Sequence, residues 1–198
     1  MEYIICSIKD FQDKELDVFY SNMNPLSKQK INKYKNLSHK KQSIIGEYLL
    51  SKLLNKYSIS YSDASFFYLE SGKPIITNYP IYYSISHSSD KVIATISNHL
   101  IGVDIEKIRN VSLSTIHQFA NKEEEEYILS SKKNQKKRLF EIYTLKEAYV
   151  KMMGLSILQL KDVSFTVQNN DVFCSDTSCQ AHLYYQNNYV FSICQKKE

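Results

Sequence analysis

The fold is decided around residues 100–106, which read LIGVDIE. Side chains alternate between the two faces of a strand, so the three β-branched residues of this stretch share one face, and its glycine and two acids share the other. We expect the apolar face to be the buried one. Asp104 and Glu106 would then lie about 6.5 to 7 Å apart, a separation at which both carboxylates can reach one cation. The same spacing also fits a solvated strand face balanced by Lys107 and Arg109.

A second informative stretch, residues 135–153, has the periodicity of a long helix that ends at Gly154. Tyr143, Glu147 and Lys151 are spaced i, i+4 and i+8, so they line one stripe of that helix. A carboxylate and an ammonium on one stripe can serve a metal ion and a phosphate, or can form an ordinary surface ion pair. The apolar residues expected to face the core are Leu139, Ile142, Tyr149 and Met153.

The remaining pattern divides the chain into two halves in which helices are followed by strands. After a strand at the N-terminus, the first half predicts helices over 25–36 and 38–57, with Asn24 and Ser38 as N-caps, and strands over 65–69, 81–86 and 92–97. After the strand at 100–106, the second half predicts helices over 112–120, 122–132 and 135–153, and strands over 163–167, 172–174, 181–185 and 189–194. Asn98 and His99 suggest a tight hairpin. The economical interpretation is an α+β chain of two similar helix-plus-antiparallel-sheet halves, 1–99 and 100–198.

Composition limits the class of protein. The chain has 198 residues, is 43% hydrophobic and carries a formal charge of +4, which excludes disorder and collagen. It has no apolar run near the ~20 residues that cross a bilayer. The four cysteines lie in strand-like runs without an export signal at the N-terminus, so we expect reduced thiols, a cytoplasmic location and no membrane partner.

Residues 26–56 carry eight lysines against one glutamate. Such a segment attracts polyanions such as nucleotide phosphates, nucleic acid or an acidic protein, or it simply solvates amphipathic helices. Several nucleotide-binding and hydrolytic classes are excluded, because the chain lacks G-x-G-x-x-G, Walker A, H-E-x-x-H and G-x-S-x-G motifs.

In their order along the chain, these pieces resemble the 4′-phosphopantetheinyl transferases of the larger, surfactin-synthetase-activating (Sfp) type. That family carries G-[IV]-D-[IV]-E followed by W-[ST]-x-K-E-[AS]-x-x-K, which here read GVDIE at 102–106 and YTLKEAYVK at 143–151. The resemblance extends over about residues 25–167, and its further matches are GKP at 72–74, ISHS at 85–88, Phe119, Glu124 and the lysine-rich helix pair.

The resemblance implies a pseudodimer with a coenzyme A site in the cleft between the halves, and transfer of phosphopantetheine from coenzyme A to a carrier-protein serine, releasing adenosine 3′,5′-bisphosphate. It implies that Mg²⁺ is held by Asp104, Glu106 and Glu147. It implies that coenzyme A is contacted by Lys73, Ser86, His87 and Lys151, and that its 3′-phosphate is contacted by Lys28 and by Lys30 or Lys33. Lys146 is implied to contact coenzyme A on the 3′-phosphate side or to point toward solvent. The implied candidates for the general base are Glu147 and Glu124, although Glu124 also fits a capping box with Asn121.

Three positions depart from the family pattern. Tyr143 replaces a tryptophan, Gln42 stands about where many members have an arginine for a phosphate, and Gly154 is followed by Leu155-Ser156 without a second glycine. The expected partner is an acidic acyl or peptidyl carrier of undetermined pathway, and we expect a monomer that binds no nucleic acid. The alternatives are a basic nucleic-acid-binding module and a coenzyme A-binding protein of the same fold without turnover.

Overall fold

The computed structural model describes residues 1–169 and 171–197 and divides the chain into two compact units, Met1–Asn98 (unit 1) and His99–Glu198 (unit 2). Unit 1 contains helices α1 (Asp13–Ser21), α2 (Pro25–Asn32) and α3 (Leu37–Lys56), and strands β1 (Glu2–Ser7), β2 (Phe66–Tyr68), β3 (Pro74–Ile76), β4 (Tyr82–Ser88) and β5 (Lys91–Ser97). Unit 2 contains helices α4 (Ile116–Phe119), α5 (Lys122–Leu129) and α6 (Gln135–Met153), and strands β6 (Ile101–Lys107), β7 (Phe165–Gln168), β8 (Asp171–Cys174), β9 (Cys179–Gln186) and β10 (Tyr189–Lys196).

Unit 1 is a three-stranded antiparallel sheet, in the order β1-β5-β4, with α3 packed against it. The helix buries a regular apolar stripe that includes Ile45, Leu49 and Leu53. It begins at Asn36, whose side chain accepts hydrogen bonds from the backbone N–H groups of Ser38 and His39. The N-cap is therefore Asn36 and not Ser38, because an asparagine two residues earlier satisfies the same free N–H groups.

Unit 2 repeats this arrangement. Its antiparallel sheet has the order β6-β10-β9, and α6 lies across it; β7 and β8 form a separate hairpin. The long helix ends where predicted, because Gly154 adopts the left-handed conformation (φ +69°) that closes a helix. The prediction of two similar helix-plus-antiparallel-sheet halves is confirmed.

The hairpin predicted at Asn98 and His99 is wrong. A strand has two edges, and both edges of β5 are occupied, one by β1 and the other by β4. The strand β6 pairs instead with β10. Local turn signals at residues 98–99 did not carry information about these distant pairings.

Smaller differences have local causes. The helix α1 and the strand β3 were not predicted, α2 ends four residues early, and residues 113–115 form a 3-10 turn before the short α4. Met153 is exposed because it is the last residue before the chain turns at Gly154, whereas Met152 is fully buried. All four cysteines are free thiols, as expected. Among the described residues, no helix is long and apolar enough to cross a membrane.

Candidate active site

The acidic face of β6 packs against α6. A side chain at Gly102, on that face, would place its Cβ 2.0 Å from the carbonyl oxygen of Ala148 and 2.4 Å from the backbone nitrogen of Met152. Only glycine allows the two backbones to come this close. Asp104, two residues along on the same face, is buried as a result. Both faces of β6 are therefore buried here, and the expectation that only the apolar face is buried is wrong.

Lys151 is the cation nearest to Asp104. Its Nζ atom lies 2.6 Å from Asp104 Oδ1, and its side chain stays 32% exposed while that of Asp104 is 7% exposed. The ammonium group thus reaches down from a partly open position to a buried carboxylate. Lys151, which lies on the predicted stripe of α6, therefore contacts β6.

Glu106 is balanced by a different cation. Arg109 Nη1 lies 2.8 Å from Glu106 Oε2, and the guanidinium group also stacks 5.2 Å from the ring centroid of Phe140. Arg109 was expected to balance the acids if this strand face were solvated. It does contact one of the two acids, Glu106.

Glu147 faces the same group of acids from α6. The ring of Tyr143, one helical turn earlier, packs edge-on against Phe119 at 5.2 Å. Burial and then the negative charge of Glu147 raise the pKa of the Tyr143 hydroxyl. Within residues 1–169 and 171–197, the Oε1 atom of Glu147 is buried and has no hydrogen-bond partner. A buried carboxylate oxygen without a donor is costly unless a cation or a proton meets it.

The three carboxylates interact electrostatically with one another. Burial raises the pKa of Asp104 to about 6; Lys151 opposes the rise, while the negative charges of Glu147 and Glu106 add to it. The same three acids, together with burial, raise the pKa of Tyr143. The site therefore holds more negative charge than Lys151 alone offsets, a condition that a divalent cation relieves.

Lys146 takes no part in this group. Its side chain is fully buried, and its Nζ atom lies 2.8 Å from Glu124 Oε2, 2.9 Å from the carbonyl oxygen of Leu160 and 2.6 Å from that of Val163. Those three contacts use all three ammonium hydrogens. The prediction that Lys146 points toward the 3′-phosphate of coenzyme A or toward solvent is wrong.

Glu124 is likewise occupied. Its carboxylate accepts hydrogen bonds from the backbone N–H groups of Asn121 (2.8 Å) and Phe165 (2.9 Å), in addition to the Lys146 contact. It also completes the capping box that starts α5. The capping interpretation is confirmed, and Glu124 is not placed to act as a general base.

Four predicted site residues belong to unit 1. Ser86 and His87 are consecutive on β4, with Ser86 buried and His87 partly exposed. Lys73 follows Gly72, whose φ of +82° makes the turn into β3. Burial lowers the pKa of Lys73 to about 8. The ammonium of Lys28 donates to the carbonyl oxygen of Ser21 at 2.7 Å.

The sequence placed Tyr143 on the stripe of Glu147 and Lys151 but gave it no role, and its electrostatic interaction with Glu147 was missed. Its i, i+4 relation to Glu147 was the available signal, because a tyrosine hydroxyl at that spacing can reach a carboxylate on the same helix face.

Residues 100–194 match the family model of the 4′-phosphopantetheinyl transferase superfamily. The chain is 34% identical over 136 residues to the 4′-phosphopantetheinyl transferase gsp of Aneurinibacillus migulanus, covering 68% of this chain and 57% of that protein. It is 28% identical over 169 residues to the 4′-phosphopantetheinyl transferase Sfp of Bacillus subtilis (strain 168), covering 84% of this chain and 75% of that protein.

Among solved structures, the holo-[acyl-carrier-protein] synthase of Thermotoga maritima overlaps 50% of this chain and 63% of its own, with a TM-score of 0.42 and 18% identity. The family match includes Asp104, Glu106, Glu147 and Lys151, the residues brought together on β6 and α6. Residues 100–194 of this chain thus match the 4′-phosphopantetheinyl transferase superfamily, and the chain is similar over most of its length to proteins named 4′-phosphopantetheinyl transferases.

Proposed function

We propose that this protein transfers the 4′-phosphopantetheine group of coenzyme A to a serine of an acyl or peptidyl carrier protein and releases adenosine 3′,5′-bisphosphate. One observation carries the proposal: the buried Asp104, paired with the partly exposed Lys151, lies beside Glu147, which has a buried oxygen without a donor in the described ranges. Relatives that are named 4′-phosphopantetheinyl transferases support the same activity.

Asp104, Glu106 and Glu147 are the residues proposed to hold Mg²⁺. Their donors are of the right type, because Mg²⁺ prefers carboxylate oxygens, and Glu147 has an oxygen to offer. In the described part of the chain, no group of three or more acidic, histidine or cysteine side chains is already arranged as a metal site. When bound, Mg²⁺ would neutralise charge on the diphosphate of coenzyme A.

The protein's own residues then have separable tasks. Glu147 takes the proton of the carrier serine hydroxyl while the serine oxygen forms a bond to the β-phosphorus of coenzyme A. At the same time, the bond between that phosphorus and the oxygen that bridges the two phosphates breaks. Lys151, partly exposed beside Asp104, offsets the charge that develops on the departing phosphate.

In unit 1, Lys73, Ser86 and His87 are proposed to contact the phosphates of coenzyme A, and Lys28 remains a candidate for the 3′-phosphate. Lys73 suits this role because a phosphate would favour the charged form that burial disfavours. The proposed carrier is acidic, which suits the net charge of +4.

Nucleic-acid binding is the less favoured function. Of the lysines in residues 26–56, Lys41 is paired with Asp13, Lys56 with Glu2, and Lys28 with the carbonyl oxygen of Ser21. The two ion pairs offset part of the positive charge that a polyanion would need, and the carbonyl contact restrains the Lys28 side chain.

The test is to incubate the protein with coenzyme A, Mg²⁺ and apo carriers from fatty-acid, polyketide and peptide synthesis, and to measure carrier mass. We expect the mass to rise by one phosphopantetheine. Asp104→Ala and Lys151→Met should each lower the transfer rate at least about a hundredfold. The matched control Glu123→Gln, which neutralises an exposed acid on α5, should retain the rate.

Circular dichroism would check that each variant is folded. Absence of a mass shift with every carrier would contradict the proposal. Coenzyme A binding without transfer would identify the alternative of a binding protein without turnover. Full activity in folded Asp104→Ala would contradict the role of that carboxylate.

A further inference from the structure

Two histidines face each other in unit 1. His87 is on β4, and His39 is exposed in the first turn of α3. Their ring centroids are 5.9 Å apart, and the ring of Tyr34 meets His39 edge-on at 6.3 Å. His39 was not among the residues that sequence reasoning assigned to the site.

The surroundings of this histidine pair favour an anion. The first turn of α3 contains no acidic residue, and Lys40 and Lys41 follow His39 directly. The start of a helix carries partial positive charge, which adds to that of any protonated imidazole. Two imidazolium rings this close repel each other, and an anion that contacts both removes the repulsion.

A hydrogen bond from Gln42 explains why the two histidines meet. Its Nε2 atom donates to the carbonyl oxygen of Ser89 at 2.6 Å, which ties α3 to the turn that follows β4. Gln42 is 3% exposed. It stands where the related family has an arginine for a phosphate, but its amide is directed into the protein and does not replace that contact.

Three lysines of α2 and α3 have other contacts within unit 1. Lys28 donates to the Ser21 carbonyl oxygen at 2.7 Å, Lys30 lies 4.8 Å from the ring centroid of Tyr68, and Lys41 is 2.7 Å from an oxygen of Asp13. The His39–His87 pair is a further place in unit 1 where two potential cations converge.

We propose that His39, together with His87, binds a phosphate group of coenzyme A, so that a histidine of α3 takes over the part that Gln42 does not fill. The inference rests on the proposed function, because it assumes that coenzyme A is the ligand. The recognised chemistry is a phosphate oxygen, which the 3′-phosphate and the diphosphate both supply.

Titration calorimetry of the full chain with coenzyme A and with dephospho-coenzyme A, which lacks the 3′-phosphate, tests this. His39→Ala should weaken coenzyme A binding about tenfold, the effect of losing one hydrogen bond to a charged group. His39→Lys, which keeps a cation, should recover part of the loss. Leu37→Ala is the matched control, because Leu37 is 79% exposed at the same helix start; its affinity should not change.

The two ligands separate the two phosphate sources. If His39 binds the 3′-phosphate, His39→Ala and the unsubstituted protein will bind dephospho-coenzyme A equally; if it binds the diphosphate, both ligands will bind more weakly. Equal affinity for coenzyme A in folded His39→Ala would overturn the inference and leave the proposed function intact. If His39→Ala also bound phosphate-free pantetheine more weakly than the unsubstituted protein does, the inference would be overturned, because a change in packing and not a lost phosphate contact would be the cause. No binding to the unsubstituted protein would overturn both.

Discussion

In unit 1 the buried carboxylate of Glu47 is held by hydroxyl groups, whereas in unit 2 the buried carboxylate of Glu124 is held by the ammonium group of Lys146. The hydroxyls of Ser27 and Tyr61 donate to Glu47 at 3.0 and 2.7 Å. Burial raises the pKa of Glu47, and these hydrogen bonds oppose the rise. Glu47 and Glu124 are thus stabilised by different means, and the protein should respond differently when each of these two acids is changed.

The largest expected effect comes from neutralising these acids one at a time. Glu124→Gln leaves the charge of Lys146 buried without its counter-ion, so we expect the free energy of unfolding to fall by about 3–5 kcal/mol. Glu47→Gln keeps one oxygen that accepts from one hydroxyl, and its NH2 group can donate to the oxygen of the other hydroxyl, so we expect a loss of about 1 kcal/mol. Urea denaturation followed by circular dichroism would measure both.

Two further results would test whether the charge of Lys146 causes the difference between Glu124→Gln and Glu47→Gln. The double variant Glu124→Gln/Lys146→Met should recover part of the loss, since it removes both charges. Equal losses for Glu124→Gln and Glu47→Gln would show that the charge of Lys146 is not the source of the difference.

The second contrast concerns the glycines at the contact between helix and sheet. In unit 2 the close glycine is on the strand, where a Cβ at Gly102 would lie 2.0 Å from the backbone oxygen of Ala148. In unit 1 it is on the helix, where a Cβ at Gly46 would lie 2.6 Å from the Cγ2 atom of Ile85, a side-chain atom. A side chain can be displaced at lower cost than a backbone.

We therefore expect Gly102→Ala to lower the free energy of unfolding by about 3 kcal/mol, at the upper end of overpacking costs, because β6 and α6 must separate. Gly46→Ala should cost about 1 kcal/mol or less, since displacing Ile85 is offset by the ~1 kcal/mol that alanine gains over glycine in a helix. Chemical denaturation of both variants, with transfer assays on Gly102→Ala, would check this. A larger loss at Gly46 than at Gly102 would contradict the role assigned to the backbone contact.

Local signals in the sequence were sufficient for the elements that carry the site. The bounds of α6 follow from apolar periodicity and from a glycine that closes the helix, both of which depend on nearby residues. The sequence likewise predicted the stripe of Glu147 and Lys151, since helical spacing fixes it.

Features that depend on distant residues could not be predicted in this way. Lys146 and Lys151 belong to one motif, yet only Lys146 is fully buried. It is stabilised there by an ion pair with Glu124 and by hydrogen bonds to two backbone carbonyl groups outside the motif. The buried acidic face of β6 required knowledge that α6 packs there against Gly102. The hairpin error at residues 98–99 has the same cause, because strand partners are chosen at long range.

The smallest expected effect concerns one lysine in each unit, the buried Lys146 and the partly buried Lys73. For Lys146, burial lowers the pKa and Glu124 opposes that change, whereas for Lys73 burial lowers the pKa to about 8. Because the folded pKa of Lys73 lies below the unfolded value, folding disfavours its charged form, and that penalty is relieved as pH rises from about 8 through 10.5. Carbon NMR of the reductively methylated protein should show one lysine titrating near 8, and Lys73→Arg should remove that signal. Coenzyme A should move it upward if a phosphate lies nearby. A Lys73 titration at the ordinary lysine value would show that the side chain is solvated.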